Sequence, residues 1–159
     1  MKIKVVNVID EDFSNYKRAS MTIGFPTCTF KCGRQVCQNG TLANAPKVEI
    51  EAADLVERYM KNPITEAICF QGLEPFDSPE VFDLVAEFRD RTDDTIVIYT
   101  GYTREEADDR AWIDFLKFFP NIIVKYGRFI PGGKPHYDEV LGVYLASDNQ
   151  YAVLESRKE

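Results

Sequence analysis

Met21, Ile23 and Phe25 alternate with Thr22 and Gly24, the period of two that a strand with unlike faces produces. The β-branched run 3–9 predicts a leading or edge strand before it. Ala52, Leu55, Val56, Tyr59 and Met60 fall at helical spacing and predict an amphipathic helix over 49–61. The apolar run 67–70 is short enough to be a buried strand, and it ends at Gly72. Val81, Leu84, Val85 and Phe88 then form a helical stripe, with Ser78 as a cap and Pro79 in the first turn. A strand over 95–99 leads to Thr103-Arg104-Glu105-Glu106, a capping box that opens a helix burying Trp112, Phe115, Leu116 and Phe119. Further strands are expected at 121–126, 140–146 and 151–154, the last two around a turn.

Strands alternating with helices imply right-handed crossovers and a mainly parallel sheet, so the fold class is α/β. The chain has 159 residues, enough for one domain with a sizeable core, and no shift in composition divides it, so a single domain over 1–159 is expected. The one long loop expected is 127–138, which carries Pro131-Gly132-Gly133 and Pro135.

Composition narrows the partners. Hydrophobic residues at 45% and charged residues at 28% are ordinary for a globular protein. A net charge of −7 argues against nucleic acid or an anionic membrane as the main partner. No apolar run approaches the roughly 20 residues of a membrane span. Met1-Lys2-Ile3-Lys4 leads into Asp10-Glu11-Asp12 and not into a signal-peptide hydrophobic region, so a cytoplasmic location is expected. Thiols stay reduced there, and clustered cysteines bind metals more often than they form disulfides.

Such a cluster is present. Cys28, Cys32 and Cys37 lie on one stretch just beyond the strand that ends near Pro26. Thiolates so gathered suit an iron–sulfur cluster or zinc. Three cysteines leave one iron of a four-iron cubane open to a further ligand. A structural zinc site needs a fourth protein ligand, for which Cys69 and His136 are the soft candidates. A redox or disulfide role is the third reading. Cys69 itself sits within an apolar strand, where a buried cysteine acts as a small hydrophobe. His136, between Pro135 and Tyr137 in the expected loop, reads as a surface residue.

The cysteine stretch resembles the CxxxCxxC motif of radical S-adenosylmethionine (SAM) enzymes, with four residues instead of two between Cys32 and Cys37. Gly72-Leu73-Glu74-Pro75 is similar to that superfamily's Gly-Gly-Glu-Pro segment, with Leu73 in place of the second glycine. The stretches 12–16, 99–102 and 147–150 resemble the anaerobic ribonucleoside-triphosphate reductase activating proteins, a glycyl-radical activase family. The resemblance implies an incomplete (β/α) barrel with a mainly parallel, curved sheet and its cofactors at the carboxyl ends of the strands. It implies a [4Fe-4S] cluster on Cys28, Cys32 and Cys37, with SAM bound by its amine and carboxylate to the open iron. Val36 would pack on the adenine, Gly72 and Glu74 would meet the SAM amine, and Thr100 and Gly101 would line the nucleoside pocket. Asn149 would lie on the cofactor side.

The implied activity is reductive cleavage of SAM to methionine and a 5′-deoxyadenosyl radical. That radical would take a hydrogen atom from a glycine of a partner such as anaerobic ribonucleotide reductase, with a low-potential donor supplying the electron. Neither nucleic acid nor membrane is an expected partner, and no residue is assigned as acid or base. Two alternatives stand beside this reading: a radical SAM enzyme modifying a small molecule or peptide, and a non-catalytic zinc-binding interaction module. Plain turns account equally for 100–102 and for 147–150.

Overall fold

The computed structural model describes residues 1–27 and 46–156. In chain order the strands begin with β1 (Lys2–Val5), β2 (Asn7–Asp12), β3 (Ser20–Phe25) and β4 (Val48–Glu51). Helix α1 (Ala52–Lys61) leads to β5 (Ala67–Gly72), a 3₁₀ turn (Pro75–Asp77), α2 (Val81–Arg89) and β6 (Thr95–Tyr99). Two short helices follow, α3 (Arg104–Asp109) and α4 (Trp112–Leu116). The remaining strands are β7 (Ile122–Tyr126), β8 (His136–Asp138), β9 (Val143–Leu145) and β10 (Tyr151–Ser156).

Six strands form one mixed sheet in the order β10-β7-β6-β5-β3-β2. The pairs β3–β5, β5–β6 and β6–β7 are parallel, and the antiparallel strands β2 and β10 lie at the two edges. The architecture is thus mixed α/β with a parallel centre. Its strands are rich in Ile, Val and Phe because both faces are covered, the usual situation for parallel strands.

Alternation along each strand sorts side chains to the two faces. Met21, Ile23, Phe25, Ile68, Phe70, Ile96, Ile98, Ile122, Val124 and Tyr126 pack with Leu55, Val56, Tyr59, Leu84, Val85 and Phe88 of the helices. This is the helix face and the larger core. The opposite face carries Ala67, Cys69, Val97, Ile123 and Ala152, which pack with Tyr16, Leu141 and Leu145. The antiparallel pair β8–β9 supplies Leu145 to it, so we refer to it as the hairpin face.

Several elements differ from the sequence reading, each for a physical reason. The run 3–9 divides into two strands in two sheets. Lys2–Val5 pairs with Val48–Glu51, which match in both charge and apolar character: Lys2 faces Glu51, Ile3 faces Ile50 and Lys4 faces Glu49. That pairing holds residues 48–51 extended, so the helix starts at Ala52 and not at 49. Ser78 does not cap α2. It ends the 3₁₀ turn, and its buried Oγ has no hydrogen-bond partner among the described residues.

The capping box forms as expected, with Thr103 accepting from Glu106 N and Glu106 accepting from Thr103 N. Its helix nonetheless stops early, because Ala111 takes a left-handed conformation at φ 60° and separates α3 from α4. Tyr151–Ser156 pairs with β7 and not with the neighbouring strand at 143–145. Residues 143–145 pair instead with β8, and the Asp138 carboxylate accepts from Leu141 N at 2.9 Å and from Ala152 N of β10 at 3.2 Å.

Phe88 joins α2 to α1 through Tyr59, at 5.7 Å between ring centroids, and to the sheet through Phe70, at 6.3 Å. Removing a fully buried ring from such a contact destabilises by about 3–5 kcal/mol. Phe88→Ala should lower the free energy of unfolding by that amount in chemical denaturation, while a change at exposed Phe118 should leave it within about 0.5 kcal/mol.

Candidate functional site at the carboxyl edge of the sheet

The parallel strands β3, β5, β6 and β7 deliver their following loops to one edge. After β5 the chain turns at Gly72, with φ +93°, where a Cβ would come within 2.5 Å of the Phe25 backbone oxygen. Glycine is required at this position on both grounds. The turn lets Leu73 N donate to Phe25 O at 3.0 Å and Glu74 N to Thr27 O at 2.9 Å, so the loop follows β3 past the end of the sheet.

Glu74 is fully buried. Its Oε2 accepts from Thr100 Oγ1 at 2.8 Å and from Phe76 N at 3.1 Å, and its Oε1 accepts from Gly101 N at 2.7 Å. The structure therefore brings Gly72, Glu74, Thr100 and Gly101 together at this edge. Glu74 makes these three bonds inward, tying the loop after β5 to the loop after β6. Burial pushes its carboxyl up to about 7, against the downward pull of the three donors.

Lys125, near the end of β7, is the second buried charge. Its Nζ donates to Gly127 O at 2.9 Å and lies 5.6 Å from the centre of the Tyr99 ring. Burial pushes the amine down to about 8, and the charge of Glu74 opposes that fall. Gly127, at φ +103°, turns the chain away from the edge, and its N donates to Tyr102 O at 3.0 Å.

Residues 147–150 clasp this turn. Asn149 Nδ2 donates to Arg128 O at 2.8 Å and Gln150 Nε2 to Gly127 O at 3.1 Å. Ser147 Oγ donates to Asn149 Oδ1 at 2.6 Å, and Ser147 N to Gln150 Oε1 at 3.1 Å. Asn149 is thus placed at the carboxyl edge, with its side chain bonded to the loop after β7.

The stretch 12–16 lies over the hairpin face, where Tyr16 packs in the smaller core. Asp12 accepts from Thr22 Oγ1 at 2.7 Å, from Ser14 N at 2.9 Å and from Ser14 Oγ at 2.7 Å, and also from Asn15 Nδ2. Its carboxyl is held below the ordinary value, because these hydrogen bonds outweigh the opposing effect of burial. Tyr99 reaches the same turn, its hydroxyl donating to Asn15 O at 2.5 Å.

Cys28, Cys32, Cys37 and Val36 lie outside the described residues. Among those described, no group of three or more His, Cys, Asp or Glu side chains is placed to hold a metal ion. The two soft side chains considered for a fourth ligand have other surroundings. Cys69 is fully buried in β5, its Sγ donating to Ser20 Oγ at 3.4 Å, and burial pushes the thiol up to about 12, away from the thiolate a metal needs. His136 Nε2 pairs with Gln150 O at 2.6 Å. Among the described residues no helix is long and apolar enough to cross a membrane.

Residues 18–141 match the family model described as a 4Fe-4S single cluster domain. That span contains Cys28, Cys32 and Cys37 as well as β3, β5, β6 and β7. The chain belongs to this 4Fe-4S single cluster domain family. It is therefore an iron–sulfur protein. No curated protein and no solved structure matches it.

Two residues of this edge carry no motif signal: Gln71 and Lys125. Lys125 follows Ile122, Ile123 and Val124, and a lysine at the end of an apolar run reads from sequence as the solvated end of a strand. Only the pairing of β7 between β6 and β10 buries it.

Two outcomes follow for Glu74. Thr100→Val leaves one carboxylate bond unmade in a buried site and should cost about 1–3 kcal/mol in chemical denaturation. The folded protein holds a proton on Glu74 that the unfolded chain releases between about pH 4.5 and 7. This group's contribution to stability therefore falls as pH rises through that window. The stability of the wild type relative to Glu74→Gln should decline from about pH 5 to pH 7 in thermal melts, and a flat difference would show that Glu74 stays ionised.

Proposed function

We propose that this iron–sulfur protein is a radical SAM enzyme of the glycyl-radical activase type, acting on a partner such as anaerobic ribonucleotide reductase. The observation that carries the proposal is a coincidence of place. The cysteine stretch follows β3 in the chain, and two segments that resemble SAM-binding stretches meet at the carboxyl ends of the parallel strands, where Thr100 and Gly101 donate to Glu74. In parallel α/β architectures that edge is where ligands bind. The four parallel strands would form the middle of an incomplete (β/α) barrel.

Cys28, Cys32 and Cys37 would hold the cluster, and Val36 would pack against the adenine. With a low-potential electron donor, the cluster and SAM supply one-electron cleavage of a sulfur–carbon bond, giving methionine and a 5′-deoxyadenosyl radical able to take hydrogen from a glycine.

The chain's own residues bind and position. Glu74 fixes the loops after β5 and β6 relative to each other, so that Gly72, Thr100 and Gly101 present a rigid wall to the ligand. The clasp at 147–150, including Asn149, fixes the loop after β7. Fixed groups of this kind lower the ordering cost of binding. The reducing conditions that such chemistry needs fit a cytoplasmic location.

Anaerobic reconstitution tests the reading. Cys28→Ala, Cys32→Ala and Cys37→Ala should each abolish loading of a four-iron cluster, while Cys69→Ala should load fully. The reconstituted wild type, given reductant, SAM and the partner reductase, should leave a glycyl radical seen as a doublet in electron paramagnetic resonance. Vigorous SAM cleavage without that doublet would remove the activase assignment. Stoichiometric zinc with no SAM cleavage would remove the enzyme reading altogether.

A further inference from the structure

The outer side of the helix layer carries an aromatic surface that folding leaves open to solvent. Phe118, in the turn after α4, is 83% exposed, and Phe115 is 42% exposed. Phe118 N donates to Phe115 O at 3.2 Å, so the second ring follows the first by one turn. Phe115 also meets Phe82 of α2 at 4.9 Å and Phe119 at 5.6 Å between ring centroids. The surface thus crosses from α2 to α4. A single exposed apolar side chain needs no explanation, but aromatic rings in contact across two helices form a patch, and such patches mark interaction sites.

The charges around it are mostly of one sign. Asp83 and Asp114, next in sequence to Phe82 and Phe115, are exposed, and neither makes an ion pair among the described residues. Glu87 stands one turn beyond Asp83 on α2. The nearby guanidinium groups are engaged elsewhere. Arg89 donates to Pro120 O, Thr92 O and Asn121 O, and Arg110 stacks over the rings of Tyr102 and Trp112. Among the described residues this leaves Lys117 as the exposed cation beside Phe118.

An apolar surface with an acidic rim selects its occupant. A second copy of this chain would set Asp83 and Asp114 against the same carboxylates, because a twofold contact brings one patch against itself. An anionic lipid surface would be repelled by the same rim. A basic segment with an apolar face is complementary in both respects.

We propose that the surface of Phe82, Phe115 and Phe118 docks an amphipathic segment of a partner protein, with apolar side chains against the rings and Lys or Arg against Asp83 and Asp114. The surface lies outside the carboxyl-edge site and does not depend on the activity proposed above. It is nonetheless joined to that site. Phe76 stacks with Phe82 at 5.9 Å and with Trp112 at 4.7 Å, and its N donates to Glu74 Oε2. A partner seated on Phe82 and Phe115 therefore bears on the ring stack that abuts the Glu74 loop.

Trp112 is the only tryptophan of the chain, so its fluorescence reports binding at this stack. The probes are a helical amphipathic peptide of leucine and lysine and a twin with glutamate in place of lysine. Each is titrated anaerobically into the reconstituted full chain as wild type, as Phe118→Ser and as Asp83→Lys/Asp114→Lys. The substituted side chains are exposed, so the variants should fold as the wild type does. The leucine–lysine peptide should shift the Trp112 emission of the wild type and bind less tightly as salt is raised. It should bind Phe118→Ser about tenfold more weakly. The doubly reversed variant should prefer the glutamate twin.

No binding, equal binding of both peptides to the wild type, or an affinity unchanged in Phe118→Ser would overturn the proposal. A wild-type dimer in sedimentation that Phe118→Ser dissociates would give the surface to a second copy. Binding to phosphatidylserine vesicles that Phe118→Ser abolishes would give it to a membrane. Either result would overturn the assignment to a basic protein segment.

Discussion

A carboxylate taken out of water must find donors within the protein, and Glu74 finds three from two different loops. Phe76 N follows it on its own loop, whereas Thr100 Oγ1 and Gly101 N belong to the loop after β6. The rest of the edge depends on this arrangement. Thr100 N donates to Lys125 O at 2.8 Å, which carries the connection to β7. Gly127 O then accepts from both Lys125 Nζ and Gln150 Nε2, which carries it to the segment before β10. On the other side, Leu73 N and Glu74 N reach back to Phe25 O and Thr27 O beyond β3. A single polar network thus spans the carboxyl ends of four parallel strands, with the Glu74 carboxylate as its most connected member.

The two faces of the sheet divide the work. The helix face is apolar from β3 to β7 and packs on α1 and α2 through Leu55, Val56, Leu84, Val85 and Phe88. It sets the spacing and register of the strands, and so the positions of their loops. The hairpin face changes character along the strands. At one end the Asp12 turn satisfies Thr22, and Cys69 and Val97 lie buried in the smaller core. Towards the carboxyl ends of the strands Gln71, Tyr99 and Lys125 stand side by side, the Tyr99 hydroxyl donating to Asn15 O and Lys125 Nζ to Gly127 O.

The sequence by itself determined the α/β alternation, the positions of the central strands and the iron–sulfur family. Periodicity of two and of 3.6 is a local property, and so are the spacing of Cys28, Cys32 and Cys37 and the capping box at Thr103–Glu106. Gly72 and Glu74 were legible together with Thr100 and Gly101 as two short segments, though not as bonded partners. Tertiary structure decided what depends on contacts between distant residues. Cross-strand pairing with Lys2–Val5 moved the start of α1 to Ala52. The stretch 12–16 became a cap for the hairpin face because Thr22 lies across the β2–β3 ladder from it. Lys125 gave no signal in the chain, since a lysine's burial is set by the strands on either side of its own. Whether a charge is solvated or buried depends on what surrounds it in space, which local pattern does not encode.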